Sequence, residues 1–360
     1  MSTKSKIRRI IKQNGYITID ELMMQALSDN KDSYYRSAEH IGAKGDFITA
    51  PEISQLFGEI IALWAIEKWQ ELGSPAELCL AEFGPGQGQL MQDFLRVARL
   101  VPDFFNACKL YLLEINPYFI AKQKSKLLEY KPDTKWIKDL SQLPKKPSLI
   151  IANEFFDALP IKQYIKKDGN WFESVMVFNQ KSQRNQYGMI EIDHELQNKI
   201  LSKHINAEDG AVFEESEQSL EITKALSTHL DLNGGASLII DYGYNFDAQM
   251  RTRNQYNSTL QALKDHKYQE VTELLGDADL TAHVDFNALK QISLSSLSNL
   301  KTCQLSTQRE FLLKYGIGLR VRILKIKAPE HEQDILDRQV SRLIDPQHMG
   351  ELFKVLEICS

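Results

Sequence analysis

Apolar positions change their spacing along this chain, and each change predicts a different kind of element. Through residues 1–75 they recur at helical intervals. Ile7, Ile10 and Ile11 share one face of a first helix, and Thr18 or Asp20 can cap a second. Ile53, Phe57, Ile60 and Trp64 form a longer stripe, widened by Leu56, Leu63 and Trp69. From Leu78 the apolar residues condense into short continuous runs at 78–81, 110–113, 136–137, 149–152 and 237–240. Three runs end on an acidic residue, directly or after an asparagine: Glu114, Asn153-Glu154 and Asp241. Short apolar strands separated by helices predict a parallel sheet covered on both faces. Between Leu159 and Gly210 the period shortens to two, over 161–165, 171–178 and 187–192, which predicts an antiparallel meander. A helix over 217–229 leads back to the sheet and a polar loop follows over 244–266. Helices over 286–292 and 309–315 and a strand over 320–325 come after it.

The fold class this predicts is α/β, a doubly wound sheet with additions. An N-terminal helical segment (1–75) precedes the first half of the sheet (76–160). An inserted β meander (161–210) separates it from the second half and its flanking helices (211–360). A chain of 360 residues exceeds the size at which one core usually keeps growing, which agrees with an elaborated domain or two domains. Hydrophobic residues at 43% and charged residues at 25% are ordinary for a globular protein. The net charge of −5, with no basic stripe, argues against a nucleic-acid partner. Cys79, Cys108, Cys303 and Cys359 form no C-x-x-C pair, so they read as reduced thiols and no metal is expected. No apolar stretch has the length of a membrane span. The basic start (Lys4, Lys6, Arg8, Arg9, Lys12) has the charge of a mitochondrial presequence, but its isoleucines run into the second helix. It therefore reads as part of the fold of a mature cytoplasmic protein.

The densest chemistry lies in Glu82-Phe83-Gly84-Pro85-Gly86-Gln87-Gly88, at the end of the first apolar run. Strand, glycine turn and helix start let backbone approach a nucleotide-like ligand closely. The G-x-G-x-G spacing differs from the G-x-G-x-x-G of dinucleotide enzymes, and no Gly-Lys-Ser/Thr follows as in a Walker loop. It is the variant favoured by proteins that bind S-adenosylmethionine, whose lack of phosphate removes the need for a helix dipole aimed at an anion. Glu114, 26 residues after Gly88, can accept both ribose hydroxyls of a nucleoside over the turn, or cap the helix opening at Asn116-Pro117. Asp139 faces either adenine or solvent. Asn153-Glu154-Phe155-Phe156-Asp157-Ala158-Leu159-Pro160 sets an amide, two carboxylates and two rings at the carboxyl end of the sheet. That suggests a clamp for a substrate amine, Asp157 as a helix cap being the other reading. Asp241 ends the fifth strand as a third candidate. Thr49 and Glu52 form a capping box with Pro51 in the first turn, and Gly45-Asp46-Phe47 before them has the makings of a lid. His283 is either an acid or base or a structural neighbour of a helix cap.

In combination these motifs resemble the MidA family of S-adenosylmethionine-dependent methyltransferases. The resemblance rests on residues 45–54, 82–88, 153–160, Asp241-Tyr242-Gly243, 278–286 and 349–355, in that order over nearly the whole length. It implies the cofactor S-adenosyl-L-methionine, held by Glu82, Gly84, Gly86, Gly88, Glu114, Asp139, Asn153, Thr49 and Ser54. Catalysis would fall to Glu154, Asp157 and Asp241. Mitochondrial members of the family methylate an arginine in a core subunit of respiratory complex I and are needed for its assembly. A protein substrate of that kind is therefore implied, with a homodimer left open and the mitochondrial matrix as the site in a eukaryote. Two departures stand out. Gln87 replaces the arginine usual between the second and third glycines, and Asn257-Ser258 replaces the usual Gly-Asp before Thr259-Leu260. An S-adenosylmethionine-binding assembly factor with little catalysis is the alternative, and the glycine spacing disfavours a nicotinamide oxidoreductase.

Overall fold

A computed structural model describes residues 3–27, 49–264, 267–275, 278–296, 298 and 302–360. The Gly45-Asp46-Phe47 segment expected as a lid lies outside them. The chain divides into two units, each assembled from three separate stretches. One comprises Met1–Phe47, Asp157–Leu220 and Tyr244–Asn287; the other comprises Ile48–Phe156, Glu221–Gly243 and Ala288–Ser360.

The second unit holds the large sheet. In chain order it runs through helix α1 (Gln55–Glu71), strand β1 (Leu78–Phe83), α2 (Gln89–Ala98), β2 (Cys108–Leu113), α3 (Pro117–Leu127), β3 (Lys135–Ile137) and β4 (Ser148–Asn153). Strands β5 (Gly235–Tyr244), β6 (Thr302–Thr307) and β7 (Phe353–Cys359) also belong to it, and the main path has the spatial order β6-β7-β5-β4-β1-β2-β3. Neighbours from β5 through β3 are parallel, whereas β7 is antiparallel to both β5 and β6. Every residue of β1 and β4 is buried, as unbroken apolar runs require when helices cover both faces. The chain leaves β1 toward β2 and β3, then returns to β4 on the other side. That reversal opens a crevice at the carboxyl ends of β1 and β4, where doubly wound sheets bind ligands.

Helix α1 is buried nearly all round. Its Glu59 is inside as well, and two guanidiniums neutralise it: Arg96 at 3.0 Å and Arg320 at 2.7 Å. Arg320 belongs to a segment whose alternation suggested a strand over 320–325. Residues Ile317–Lys327 are a helix instead. Ile317 and Val321, four apart, are the buried pair, while Leu319 and Ile323 face outward. The apparent period of two was an inner and an outer helical face read together. Strands β6 and β7 and the helix Glu330–Ile344 were not anticipated.

In the first unit the meander forms as expected, at Lys162–Lys167, Asn170–Asn179 and Arg184–Glu191. Two strands the pattern did not show join it. Val212–Glu215 pairs with the first, and Tyr16–Thr18 pairs antiparallel with Asn170–Asn179. Ile7, Ile11, Ile17, Leu22 and Met176 share the core beneath.

Gly235 opens β5 at φ +135°, opposite Ser148 of β4, and a Cβ there would lie 2.0 Å from the Ser148 carbonyl oxygen. Gly235→Ala should therefore lower stability by about 3 kcal/mol or more, since backbone would have to move in the middle of the sheet. Urea denaturation of the two proteins measures it, and a loss below about 1 kcal/mol would mean that the strands part easily.

Candidate active site

The glycine turn grows out of the last residue of β1. The Gly84 N–H donates to the Leu113 carbonyl at 3.1 Å, which ties the turn to β2. A side chain at Gly84 would meet the Phe155 ring at 2.9 Å, so that position must be bare for the turn to pass beneath the ring. Gly86 is different. It sits at φ +49° and a Cβ there would meet nothing within 4 Å, so this side of the turn faces open space. Gly88 caps α2, and its N–H donates to Pro85 O at 2.7 Å.

Two carboxylates flank the turn. Glu82 lies on β1 and is 3% exposed, and among the described residues its Oε2 finds no hydrogen-bond partner. Burial, reinforced by the charge of Glu114, pushes its carboxyl up to about 8. Glu114 follows β2. Its Oε1 accepts the Asn116 N–H at 2.8 Å and its Oε2 accepts from Gln123 Nε2 at 3.3 Å. Burial raises its pKa too, opposed by those hydrogen bonds. A carboxylate oxygen carries two lone pairs, so Glu114 can still accept from a diol.

Gln123 and Trp136 were missed by the sequence reading. The Gln123 amide donates to the Gly86 carbonyl at 2.7 Å, and its oxygen accepts the Trp136 indole N–H at 2.7 Å. A signal was present. The buried stripe of α3 is Phe119, Gln123 and Leu127, and a polar residue in an apolar ladder calls for a partner.

Across the switch point, the turn after β4 is held from several directions. Glu154 adopts φ +49°; its N–H donates to Ile240 O at 2.9 Å, and its Oε1 accepts from the Ala50 N–H at 3.0 Å and from Asn153 Nδ2 at 3.2 Å. Asn153 Oδ1 is buried without a hydrogen-bond partner among the described residues. Asp241 is fully buried, with Oδ2 accepting the Phe156 N–H at 3.0 Å and Oδ1 accepting the Tyr242 N–H at 2.9 Å. Phe155 packs edge-on against Phe83 and Phe156.

The remaining candidates are placed as follows. The Thr49 N–H donates to Glu52 Oε2 at 3.4 Å, and Ser54 Oγ accepts the Leu56 N–H at 3.3 Å as the cap of α1. Asp139 is exposed and caps a short 3-10 turn; its hydrogen bond from Ser141 holds its carboxyl below the usual range. Asp157 belongs to the first unit, is buried, and accepts the Ala282 N–H on its carbonyl at 3.0 Å. In the same unit the His283 N–H donates to Thr259 Oγ1 at 2.9 Å. Among the described residues, no group of three or more His, Cys, Asp or Glu could hold a metal ion.

The family model described as "Putative S-adenosyl-L-methionine-dependent methyltransferase" matches residues 60–302. The chain is 32% identical to human protein arginine methyltransferase NDUFAF7, mitochondrial, over 95% of this chain and 80% of that one. It is 30% identical to the Xenopus tropicalis protein of the same name, over 97% and 83%. A crystal structure from Burkholderia thailandensis, bound to S-adenosyl-homocysteine, superimposes with a TM-score of 0.84 over 99% of this chain and 92% of that one. At 22% identity that likeness shows the fold.

The residues present fit the cofactor this family uses. S-adenosyl-L-methionine carries cationic sulfonium and ammonium groups, and Glu82 offers a buried oxygen with no hydrogen-bond partner among the described residues. Gly86 leaves room on the open side of the turn, and Glu114 retains acceptor capacity for the sugar. Glu82 also makes ligand-free stability depend on pH. The folded chain keeps its proton up to about pH 8, whereas an unperturbed carboxyl releases it near 4.5. Between those values the unfolded state has lost a proton that the folded state retains, so stability falls as pH rises through that window. Glu82→Gln should flatten this slope, gaining most over wild type near pH 8 and least near pH 5 in urea titrations at both values. A wild-type slope unchanged by the substitution would place the proton elsewhere. Sheet order, cradle chemistry and the relatives agree, and the chain belongs to the MidA family of S-adenosyl-L-methionine-dependent methyltransferases.

Proposed function

We propose that this methyltransferase modifies an arginine side chain of a protein, a respiratory complex I subunit or a similar acceptor. The observation that carries the reading is the turn after β4. Glu154 holds a backbone conformation that costs a side-chain-bearing residue about 1–3 kcal/mol, and such strain persists where a site needs a group aimed in one direction. Asp157 follows three residues later on the same stretch of chain. Two carboxylates suit a guanidinium, whose planar fork donates in parallel pairs that an ammonium cannot match. The relatives named protein arginine methyltransferase, at 29% to 32% identity, support the same choice.

Guanidinium has a pKa of roughly 13, so complete deprotonation at neutral pH would cost about 8 kcal/mol. Glu154 and Asp157 avoid that step by orienting the nitrogen, spreading its charge and taking the proton late, as the new bond forms. When bound, the cofactor would supply an electrophilic methyl group on a sulfonium, with the neutral thioether S-adenosyl-homocysteine as the leaving group. Asp241 contributes by holding the Phe156 and Tyr242 amides that frame the turn. Among the described residues no helix is long and apolar enough to cross a membrane. The reading assigns the reaction to the cytoplasm, or to the mitochondrial matrix in a eukaryote.

A second reading, an assembly factor that binds the cofactor with little methyl transfer, is favoured by one residue: Gln87, where the family usually has arginine. Labelled cofactor and lysate from a strain lacking the protein separate the two. Wild type should label an arginine and Gly86→Val nothing. Glu154→Gln and Asp157→Asn should bind S-adenosyl-homocysteine within about twofold of wild type yet lose methyl transfer by about a hundredfold or more. Full activity in both variants would remove the catalytic assignment, and binding without labelling by wild type would favour the assembly factor.

A further inference from the structure

Helix α3 presents one amide on an otherwise apolar stripe, between Phe119 and Leu127. Gln123 is 0% exposed, so its N–H groups and carbonyl must be satisfied inside the protein. Two of its three partners, Gly86 and Glu114, belong to the glycine turn and its flanking carboxylates. Nε2 donates to Gly86 O at 2.7 Å and to Glu114 Oε2 at 3.3 Å, while Oε1 accepts from Trp136 Nε1 at 2.7 Å. Trp136 determines which way the amide points. An indole N–H can only donate, so the amide oxygen must face it, which leaves the nitrogen for Gly86 and Glu114. The backbone around this amide is packed to match. A Cβ on Gly88 would lie 3.4 Å from Gln123 Cγ and 3.5 Å from its Cα, so the start of α2 rests directly on α3. One turn further along, Lys126 Nζ donates to Gln89 Oε1 at 3.0 Å and joins the same two helices again.

We propose that Gln123 is a positioning residue for cofactor binding, fixing the glycine turn and the Glu114 carboxylate at one separation by bonding to both. It acts through Gly86 and Glu114, and rests on the reading of Glu114 as the acceptor for the sugar. Its chemistry is specific to an amide. Leucine fills the space with no donor, and glutamate would set a third acid beside Glu82 and Glu114.

Calorimetric titration with S-adenosyl-homocysteine from about pH 6 to about pH 8.5 tests it. Gln123→Leu should bind about ten- to hundredfold more weakly at every pH, the loss expected for a hydrogen bond to a charged group. Gln123→Glu should be as weak at high pH and recover as pH falls. Once protonated, the new carboxyl can donate to Glu114 or Gly86 and still accept from Trp136. Wild type should not tighten at low pH, because its amide already donates to Gly86 and Glu114 and has no proton to gain. Trp136→Phe, which only frees the amide to rotate, should cost about two- to fivefold. A role in packing alone predicts otherwise: Gln123→Leu within about twofold of wild type, and no recovery for Gln123→Glu at low pH. Either result overturns the proposal. Should neither Gln123 variant fold, wild-type affinity in Trp136→Phe overturns it instead. Glu114→Gln in parallel reads the sugar contact itself, and unchanged affinity there would fail that assignment whatever Gln123 does.

Discussion

Two acids end neighbouring parallel strands with water excluded from both, and the cradle is organised around that electrostatic cost. Burial dominates the ionisation of both Glu82 and Glu114, and the Glu114 charge pushes Glu82 up further. The protein does neutralise a buried acid elsewhere. Glu59 receives two guanidiniums in the same unit, which is how an interior carboxylate is treated when its task is to hold helices together. The contrast supports the proposal that Glu114 and Glu82, the latter protonated up to about pH 8 in the ligand-free chain, are left for a ligand to engage. A cationic ligand with a diol, bound over a turn that carries no side chain at Gly86, answers each of those conditions.

The sheet order puts these groups where they are useful. Because the chain reverses between β1 and β4, the turns after both strands open on the same crevice. The first carries the glycines, and the second carries Asn153 and Glu154. Hydrogen bonds from the Ala50 N–H, and to the Ile240 carbonyl and the Asp241 carboxylate, lock the second turn against its neighbours, so the Glu154 carboxylate sits on a rigid support. Rigidity matters for methyl transfer, whose barrier is lowered mainly by alignment.

Much of this was legible in the sequence because the signals were local. The unbroken runs of β1 and β4, the glycine spacing and the acids at strand ends each follow from a few consecutive residues. What escaped depended on distant partners. Tyr16–Thr18 is a strand only because Asn170–Asn179 lies beside it, and β7 is assigned by pairing with β5 and β6. The helix Ile317–Lys327 imitated a strand because its two faces carry aliphatic residues alike. Within the site, Glu82, Glu114 and the glycines stood out as types, whereas Gln123 is ordinary as a type and stands out only as the polar position in the stripe of Phe119 and Leu127. Asp139 and Ser54 fell on motif positions, yet their side chains also serve as caps.

The division of the chain into two interleaved units has a consequence for assembly. Each unit draws on three stretches separated by pieces of the other, so no continuous fragment contains either one without part of its companion. A nascent chain cannot finish the first unit before much of the second has been made. Such a topology favours slow, concerted maturation over stepwise docking of finished modules. It also means that any single excised segment holding the whole large sheet carries part of the first unit with it.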